Sequence, residues 1–288
     1  MRKPALGPDR RDRAAADGRS RRPARSTPGG RPFGLRESSP ARSPQGPPKE
    51  IIHGRNPVLE AARAGHLRRV MLAANLDPDP RLDEIKRLAP VVTSVGQDDL
   101  DLIAPGVHQG VAAELEPRRF FELGQVLKLD LTLLVALDGI QDPQNLGAVL
   151  RSAEAAGAGA VILPERRSAP VGAVAVKASA GASEHLRICK VAGLPSALST
   201  LKRAGYWCLA LDPQGETWPW EFDLTQKICV VVGGEGQGVH RLVRERCEVR
   251  LRLPMAGQVA SLNASAAAAA LFYEVGRQRW VKDGQPEP

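Results

Sequence analysis

Hydrophobic and polar positions alternate along most of the chain in short runs that predict two successive α/β units. In the first unit, apolar runs bounded by turn residues predict three strands, over Arg69–Ala73, Val91–Val95 and Gly110–Leu115. Helical spacing predicts helices over Pro57–Ala64 and Arg81–Leu88, with Asn56 as the N-cap of the former and Pro57 at its first position. We therefore expect a small α/β domain over residues 50–117.

The second unit has longer buried strands separated by helical patterns. Its strands are predicted at Leu131–Asp138, Ala160–Leu163, Leu186–Val191, Trp207–Leu211, Ile228–Val232 and Val249–Leu253, and its last helix at Ser261–Arg279. Continuous apolar strands alternating with helices are typical of a parallel sheet covered on both faces. Ligands of such sheets bind beyond the carboxyl ends of the strands.

Charge and proline content divide the chain further. Residues 1–49 hold 13 Lys or Arg against 4 Asp or Glu, a net charge of +9, so the remaining 239 residues carry about −1 of the total of +8. This segment also holds 9 of the 24 prolines and few large apolar residues, which predicts a disordered basic tail. Its role stays open between an RNA tether and a solubilising tail. We expect a linker over residues 118–130, the second domain over 131–281 and a short tail over 282–288.

Composition excludes several classes of protein. No apolar stretch reaches 18 residues and the basic N-terminus lacks an apolar core, so we expect neither a membrane span nor a secretory signal. The four cysteines lie about 20 residues apart and form no Cys-x-x-Cys pair, which argues against a zinc site. The lack of membrane and signal segments and the spacing of the cysteines together predict a cytoplasmic protein with reduced thiols and no metal.

Three sequence blocks in the second unit carry candidate chemistry. The first runs from Asp138 to Arg151, follows a strand and opens a helix. In it Asn145 is placed to act as an N-cap or to make a polar contact from a loop. Gly147 in the first helical turn is costly for a helix, so we expect another chain or a ligand close to it. A capped helix with a solvated Arg151 is the plainer interpretation of this block alone.

The second block, from Ile228 to Gly238, is a buried strand that leads into a glycine-rich turn. The glycines let backbone N–H groups approach a ligand closely. No dinucleotide-binding register fits, and Glu235 would repel a phosphate, so a cationic ligand or an arginine partner suits the turn better. A tight connection between strand and helix remains the simpler alternative.

The third block begins at Leu253, contains Ser261, Asn263 and Ser265, and continues into an alanine-rich helix. A helix start offers free backbone N–H groups beside these hydroxyls and the amide. The alanines permit close packing of helices, although helix propensity alone could account for them.

Together the three blocks resemble the motifs of the SpoU-type branch of the SPOUT RNA methyltransferases. The matching positions, in order along residues 131–279, are Asp142, Asn145, Gly147 and Arg151, then Gly233, Glu235, Gly236 and Gly238, then Leu253, Pro254, Met255, Gly257, Ser261, Leu262, Asn263 and Ser265. In the first unit, the stretches His53–Val58 and His108–Val111 are similar to the RlmB subgroup, whose members methylate a guanosine ribose of 23S rRNA.

The resemblance implies a trefoil-knotted C-terminal domain, a homodimer, and a small N-terminal domain similar to RNA-binding ribosomal proteins. It implies S-adenosylmethionine as cofactor and 2′-O-methylation of an RNA ribose as the reaction. Carried onto this sequence, the residues that would bind the cofactor are Gly233, Gly234, Leu253, Met255 and Leu262. The polar residues of the catalytic site would be Asn145, Arg151, Glu235, Ser261 and Asn263.

Three other functions stay open at this point. The same fold could methylate a tRNA ribose, or could serve as a non-catalytic RNA-binding factor in ribosome assembly. A nucleotide-binding Rossmann enzyme is the third, although the chain lacks an early glycine fingerprint and its downstream acid.

Overall fold

Two β-sheets with their helices follow one another along residues 50–259 and 261–284, the part of the chain that the computed structural model describes. The predicted tail over residues 1–49 lies outside this part, as do residues 260 and 285–288. No helix in the described ranges is long and apolar enough to cross a membrane.

The first sheet has four strands in the order β1-β4-β2-β3, in which only β2 and β3 run parallel. Its elements are β1 (Ile51–His53), α1 (Arg55–Arg63), β2 (Leu67–Ala73), α2 (Pro80–Leu88), β3 (Val92–Val95), α3 (Gln97–Ile103) and β4 (Val111–Leu115). The three predicted strands and two predicted helices are present, while β1 and α3 were not predicted. Both are short, three and seven residues, so neither shows a full hydrophobic period.

The predicted start of α1 is wrong. Gly54, not Asn56, is the N-cap, and its φ of 100° turns the chain from β1 directly into the helix. Pro57 therefore lies in the first turn and not at the first position. Asn56 lies within the helix, where its side-chain oxygen accepts a hydrogen bond from Nη1 of Arg81 at 2.9 Å.

The second sheet has six parallel strands in the order β10-β8-β9-β5-β6-β7. Its elements are α4 (Leu123–Leu127), β5 (Leu133–Asp138), α5 (Pro143–Ala155), β6 (Ala160–Pro164), α6 (Ala173–Ala178), β7 (Arg187–Val191), α7 (Leu194–Arg203), β8 (Trp207–Leu211), β9 (Ile228–Gly233), α8 (Arg241–Arg244), β10 (Val249–Leu251) and α9 (Ala264–Lys282). The central strands β5 and β9 are buried along their whole length, which confirms the parallel α/β sheet. The knot stays a prediction.

Three predicted boundaries and the predicted linker in this part of the chain need correction. Strand β10 ends at Leu251, two residues before Leu253, and α9 begins at Ala264 with Asn263 as its N-cap, so Ser261 precedes the helix. Helix α9 also includes Lys282, which was assigned to the tail. The expected linker over 118–130 is structured: it contains α4, and Phe121 pairs with Cys189 of β7.

Helix α6 connects the two sheets because its side chains enter both cores. Val176 packs in the core of the first sheet, and Ala175 packs in that of the second. Beside it, the carboxylate of Glu184 is 1% exposed and is ion-paired with Arg118, and it lies within hydrogen-bonding distance of Nδ1 of His66, at 2.6 Å. The small sheet is therefore attached through a shared helix and a buried ion-paired carboxylate.

Gly147 of α5 is explained by a close helix crossing. A Cβ atom at this position would lie 2.5 Å from Cβ of Ala178 and 2.6 Å from the carbonyl oxygen of Ala175. The neighbour anticipated from the sequence is thus α6 of the same chain, not a ligand or another chain. Only glycine allows α5 and α6 to pack at this distance.

We expect Gly147→Ala to destabilise the protein by about 1–3 kcal/mol, because a methyl group forced into packed backbone strains both helices. Thermal unfolding followed by circular dichroism should show a lower Tm by several degrees. The matched control is Gly276→Ala in α9, where an added Cβ meets nothing within 4 Å. This control should leave Tm unchanged or raise it slightly, since alanine favours helix. Equal Tm values for the two variants would contradict the crossing.

The four cysteines are free, and three of them are buried. Burial raises the pKa of the Cys189 thiol to about 11 and that of Cys208 to about 12, and it raises those of Cys229 and Cys247 as well. Since the thiolate is the reactive form, we expect the native protein to react very slowly with Ellman's reagent at about pH 8. Unfolding in urea should release all four thiols, and fast labelling of the native protein would refute this packing.

Candidate functional site

A cavity of about 400 Å³ opens at the carboxyl ends of β8, β9 and β10. Seven of the ten predicted site residues line it: Gly233, Gly234, Glu235, Leu253, Met255, Ser261 and Leu262. The cavity therefore lies where a parallel sheet places its ligands, beside the point at which the strand order reverses around β5 and β9.

The glycine-rich turn after β9 folds back tightly on its own strand. A Cβ atom at Gly233 would lie 2.0 Å from the carbonyl carbon of Gly238, and one at Gly234 would lie 2.2 Å from the oxygen of Gly139. The backbone N–H of Gly234 donates to the carbonyl oxygen of Asp138 at 2.8 Å. These two glycines thus serve backbone packing, which fixes the turn at the end of β5.

Asp138 holds the far end of the same turn. Its carboxylate is almost buried and accepts a hydrogen bond from the backbone N–H of His240 at 2.7 Å, and Nδ1 of the same histidine lies 3.0 Å away. The residue at the end of β5 therefore anchors the chain on both sides of the glycine-rich turn.

A polar cluster at the rim of the cavity joins all three sequence blocks. Oε1 of Glu235 accepts hydrogen bonds from the amide groups of Asn145 at 3.0 Å and Asn263 at 2.5 Å. The Asn263 amide also donates to Oδ1 of Asn145 at 3.0 Å. Along the chain, Glu235 lies 90 residues and Asn263 lies 118 residues from Asn145. We call Asn145, Glu235 and Asn263 the polar triad.

Each member of the polar triad is held by its own element. Asn145 lies in the first turn of α5, where Asp142 is the N-cap and accepts from its backbone N–H at 3.0 Å. Of the two roles predicted for Asn145, the polar contact is thus correct and the N-cap is not. Asn263 is the N-cap of α9, and its Oδ1 accepts from the backbone N–H groups of Ser265 at 2.8 Å and Ala266 at 3.3 Å.

Arg151 and Ser261 are not part of this network. Arg151 is exposed on α5 and makes no hydrogen bond or ion pair with any residue in the described ranges. Ser261 lines the cavity but is likewise exposed. The two side chains are therefore free to contact a bound molecule, and their assigned roles stay predictions.

The loop after β8 supplies lining residues that were not predicted. Asp212, Pro213 and Gln214 follow this strand directly, and Arg244 of α8 places Nη1 3.4 Å from the Asp212 carboxylate. The signal was present in the sequence, since an acid ends this apolar run as Asp138 ends β5. Asp212 and Glu235 give the cavity two acidic groups, of which Asp212 is paired with Arg244, itself a lining residue.

Apolar side chains complete the cavity. Leu211 and Val232 line its sheet side, and Leu253, Met255 and Leu262 come from the third sequence block. In the described part of the chain, no group of three or more His, Cys, Asp or Glu side chains is arranged to hold a metal ion. The volume is within the range of about 300–1,000 Å³ that small-molecule sites occupy.

Sequence profiles of known families match both parts of the chain. Residues 132–273 match the SpoU rRNA Methylase family, and residues 51–121 match a domain described as RNA 2'-O ribose methyltransferase substrate binding.

Curated relatives match over most of their length. A protein of Mycolicibacterium vanbaalenii, described as an uncharacterized tRNA/rRNA methyltransferase, is 42% identical over 86% of this chain and 84% of its own. A protein of Staphylococcus saprophyticus assigned to the TrmH family of tRNA/rRNA methyltransferases is 38% identical, over 80% of this chain and 96% of its own.

Solved structures share the fold. The SpoU methyltransferase AviRb of Streptomyces viridochromogenes, in complex with the cofactor AdoMet, superimposes with a TM-score of 0.70 and 26% identity, over 81% of this chain and 91% of its own. An RNA 2'-O ribose methyltransferase superimposes with a TM-score of 0.65 and 29% identity, over 80% and 89% of the two chains.

We expect Asn263→Ala to destabilise the protein more than Asn263→Ser. Alanine removes the cap of α9 and the amide bonds to Glu235 and Asn145, whereas serine keeps a capping oxygen and loses only the two amide bonds. Loss of a helix cap costs about 0.5–2 kcal/mol. Thermal unfolding should therefore place the serine variant between wild type and the alanine variant. Indistinguishable Tm values for the two variants would show that the cap contributes nothing.

Proposed function

The chain belongs to the SpoU rRNA methylase family, and from this membership we propose that it methylates a ribose 2′-hydroxyl of RNA with S-adenosylmethionine as methyl donor. The observation that carries the proposal is the polar triad at the rim of the cavity. Asn145, Glu235 and Asn263 belong to three separate sequence blocks, and hydrogen bonds join them beside a space of ligand size.

The cavity suits S-adenosylmethionine in size and chemistry. Its apolar walls, including Leu253 and Leu262, offer a surface for the adenine ring, and backbone groups of the loops around them can bond the ring edge. Asp212 is paired with Arg244, so the carboxylate of Glu235 is the group that favours a cationic ligand, which fits a sulfonium. The AviRb structure, which contains AdoMet, supports the same choice for this fold.

The bound cofactor would supply a methyl group that is already activated by its sulfonium. What remains for the protein is to orient the acceptor hydroxyl and to remove one proton. Glu235 accepts from both amides of the polar triad, so its carboxylate orients Asn145 and Asn263 at the rim. We assign the two asparagines to positioning of the cofactor loop and the acceptor.

Arg151 is the residue that we assign to the RNA. A guanidinium group keeps its proton at any physiological pH, so we infer that it binds a phosphate beside the methylated nucleotide rather than acting as the base. Its exposure and its lack of a partner in the described structure support this role, because a phosphate ligand would meet no competing acid.

We propose a guanosine of 23S rRNA as the substrate, with the first domain binding RNA. The two stretches that resemble the RlmB subgroup contact each other: the backbone N–H of Arg55 donates to Oε1 of Gln109 at 3.0 Å, and its Nε donates to the Gln109 carbonyl at 3.2 Å. The names of the relatives include tRNA as well as rRNA, so a tRNA ribose is the alternative substrate. We also propose a homodimer as the active form.

Methyl transfer from tritiated S-adenosylmethionine to unmodified rRNA and tRNA transcripts tests the proposal. We expect incorporation into one rRNA, followed by mapping of an alkali-resistant 2′-O-methylated position. Incorporation into tRNA alone would select the alternative substrate. RNA binding without incorporation into either RNA would identify a non-catalytic assembly factor and overturn the proposal.

We expect Arg151→Ala to lose at least about 100-fold in methyl transfer, because a phosphate clamp is worth several kcal/mol in the transition state. The affinity for S-adenosylmethionine, measured by isothermal titration, should change less than about twofold. The matched control is Arg203→Ala in α7, an exposed arginine whose one side-chain hydrogen bond among the described residues is to Thr200, and it should keep full turnover. Loss of cofactor binding in Arg151→Ala would rule out the assignment to RNA.

A further inference from the structure

Two tryptophans and an arginine form a stack at the β10 edge of the second sheet. The rings of Trp218 and Trp220 are parallel within 4°, with their centroids 5.4 Å apart. The guanidinium carbon of Arg252 lies 4.0 Å from the centroid of the Trp218 ring. Trp220 is 55% exposed, so much of its indole faces solvent. We call Trp218, Trp220 and Arg252 the tryptophan stack.

The stack is fixed to the edge of the sheet. Arg252 immediately precedes Leu253, which lines the cavity, and its backbone N–H donates to the carbonyl oxygen of Thr217 at 3.0 Å. Thr217 in turn pairs with Leu251 of β10, and the backbone N–H of Trp218 donates to the carboxylate of Glu221 at 3.0 Å. The stack is thus held at the β10 edge of the sheet, one residue along the chain from the cavity lining, before any ligand binds.

The charge of the stack argues for an anionic aromatic partner. Arg252 makes no ion pair with any residue that the structure describes, and its Nε is buried without a hydrogen-bond partner. An exposed tryptophan alone suits any apolar contact. An unpaired guanidinium beside it adds attraction for a phosphate, and the cation contact polarises the indole on which a ring can stack. Nucleotides combine both features.

We propose that the tryptophan stack binds an unpaired base of the substrate RNA on Trp220, close to the methylated nucleotide. Sequence-tolerant recognition of single-stranded RNA uses this combination of aromatic rings and arginine. The inference rests on the proposed function, since it takes RNA as the substrate of the adjacent cavity. It adds a second point of attachment that is independent of the first domain.

The test compares Trp220→Ala and Trp220→Phe in binding to a single-stranded oligoadenylate and to an RNA duplex of the same length, by fluorescence anisotropy. Removal of one base-stacking ring costs roughly fivefold or more in affinity. We expect that loss on the single strand for Trp220→Ala, a change below about twofold for Trp220→Phe, which keeps a ring, and little effect on the duplex.

Phe120→Ala is the matched control. Phe120 is also partly exposed and lies 3.9 Å from the ammonium group of Lys190, but this pair belongs to the opposite edge of the sheet, next to β7. The Phe120→Ala variant should bind the oligoadenylate with the same affinity as wild type. The affinity of Trp220→Ala for S-adenosylmethionine should also be unchanged, which separates loss of stacking from damage to the cavity.

Four results would overturn the proposal. They are no binding of the oligoadenylate by wild type, unchanged affinity in Trp220→Ala, an equal loss on the duplex, and a change of oligomeric state in sedimentation without loss of RNA affinity. The last would assign the stack to a protein interface. Wild-type methyl transfer is measured in parallel: if it proceeds while Trp220→Ala binds RNA normally, only this inference fails. If it is absent while Trp220 still governs binding, only the proposed function fails.

Discussion

The close backbone approach at the carboxyl ends of β9 and β5 is the constraint on which the candidate site depends. Gly233 lies against Gly238, and Gly234 against Gly139, at distances that leave no room for a Cβ atom. Because the turn is pressed onto the sheet in this way, Glu235 emerges at the rim beside the start of α5. A larger residue at either glycine would push the turn outward, and the carboxylate would lose its contact with Asn145. The glycines that look like a ligand cradle in the sequence therefore act first through packing of the chain on itself.

The polar triad extends this constraint to the last helix. Asn263 uses one end of its amide to cap α9 and the other to bond Glu235 and Asn145, so the start of α9 is tied to the turn after β9. Ala264 and Ala267 of the same helix line the cavity. The Glu235 carboxylate accepts both amide hydrogen bonds, and such charge-assisted bonds are stronger than bonds between neutral groups. The shape of the cavity and the order of its rim are thus set by the same few bonds.

Much of this arrangement could be predicted from the sequence, and the remainder could not for physical reasons. Buried strands such as Leu133–Asp138 are recognisable because a continuous apolar run has few other uses in a soluble chain. Helix starts are harder to predict, since they depend on which residue takes an unusual backbone angle. In α1 that residue is Gly54, with a φ of 100°, and so Gly54 rather than Asn56 is the N-cap. Long-range contacts left no local trace. Nothing near Gly147 in the sequence reveals that Ala178 crosses it. The acid at the end of the Trp207–Leu211 run is visible in the sequence, but its place in the cavity beside Gly233 depends on the order of the strands.

The division between bonded and free groups in the site is itself an argument about chemistry. The residues assigned to loop positioning, the polar triad and Asp138, all have their hydrogen bonds made within the protein. The residues assigned to RNA, Arg151 and Trp220, are exposed, and Arg151 has no polar partner in the described structure. A reaction whose donor is already activated needs rigid geometry more than it needs a strong acid or base. In the proposed reaction, preformed bonds on the cofactor side and open groups on the acceptor side would meet that requirement, since only the acceptor is captured from a large and variable molecule.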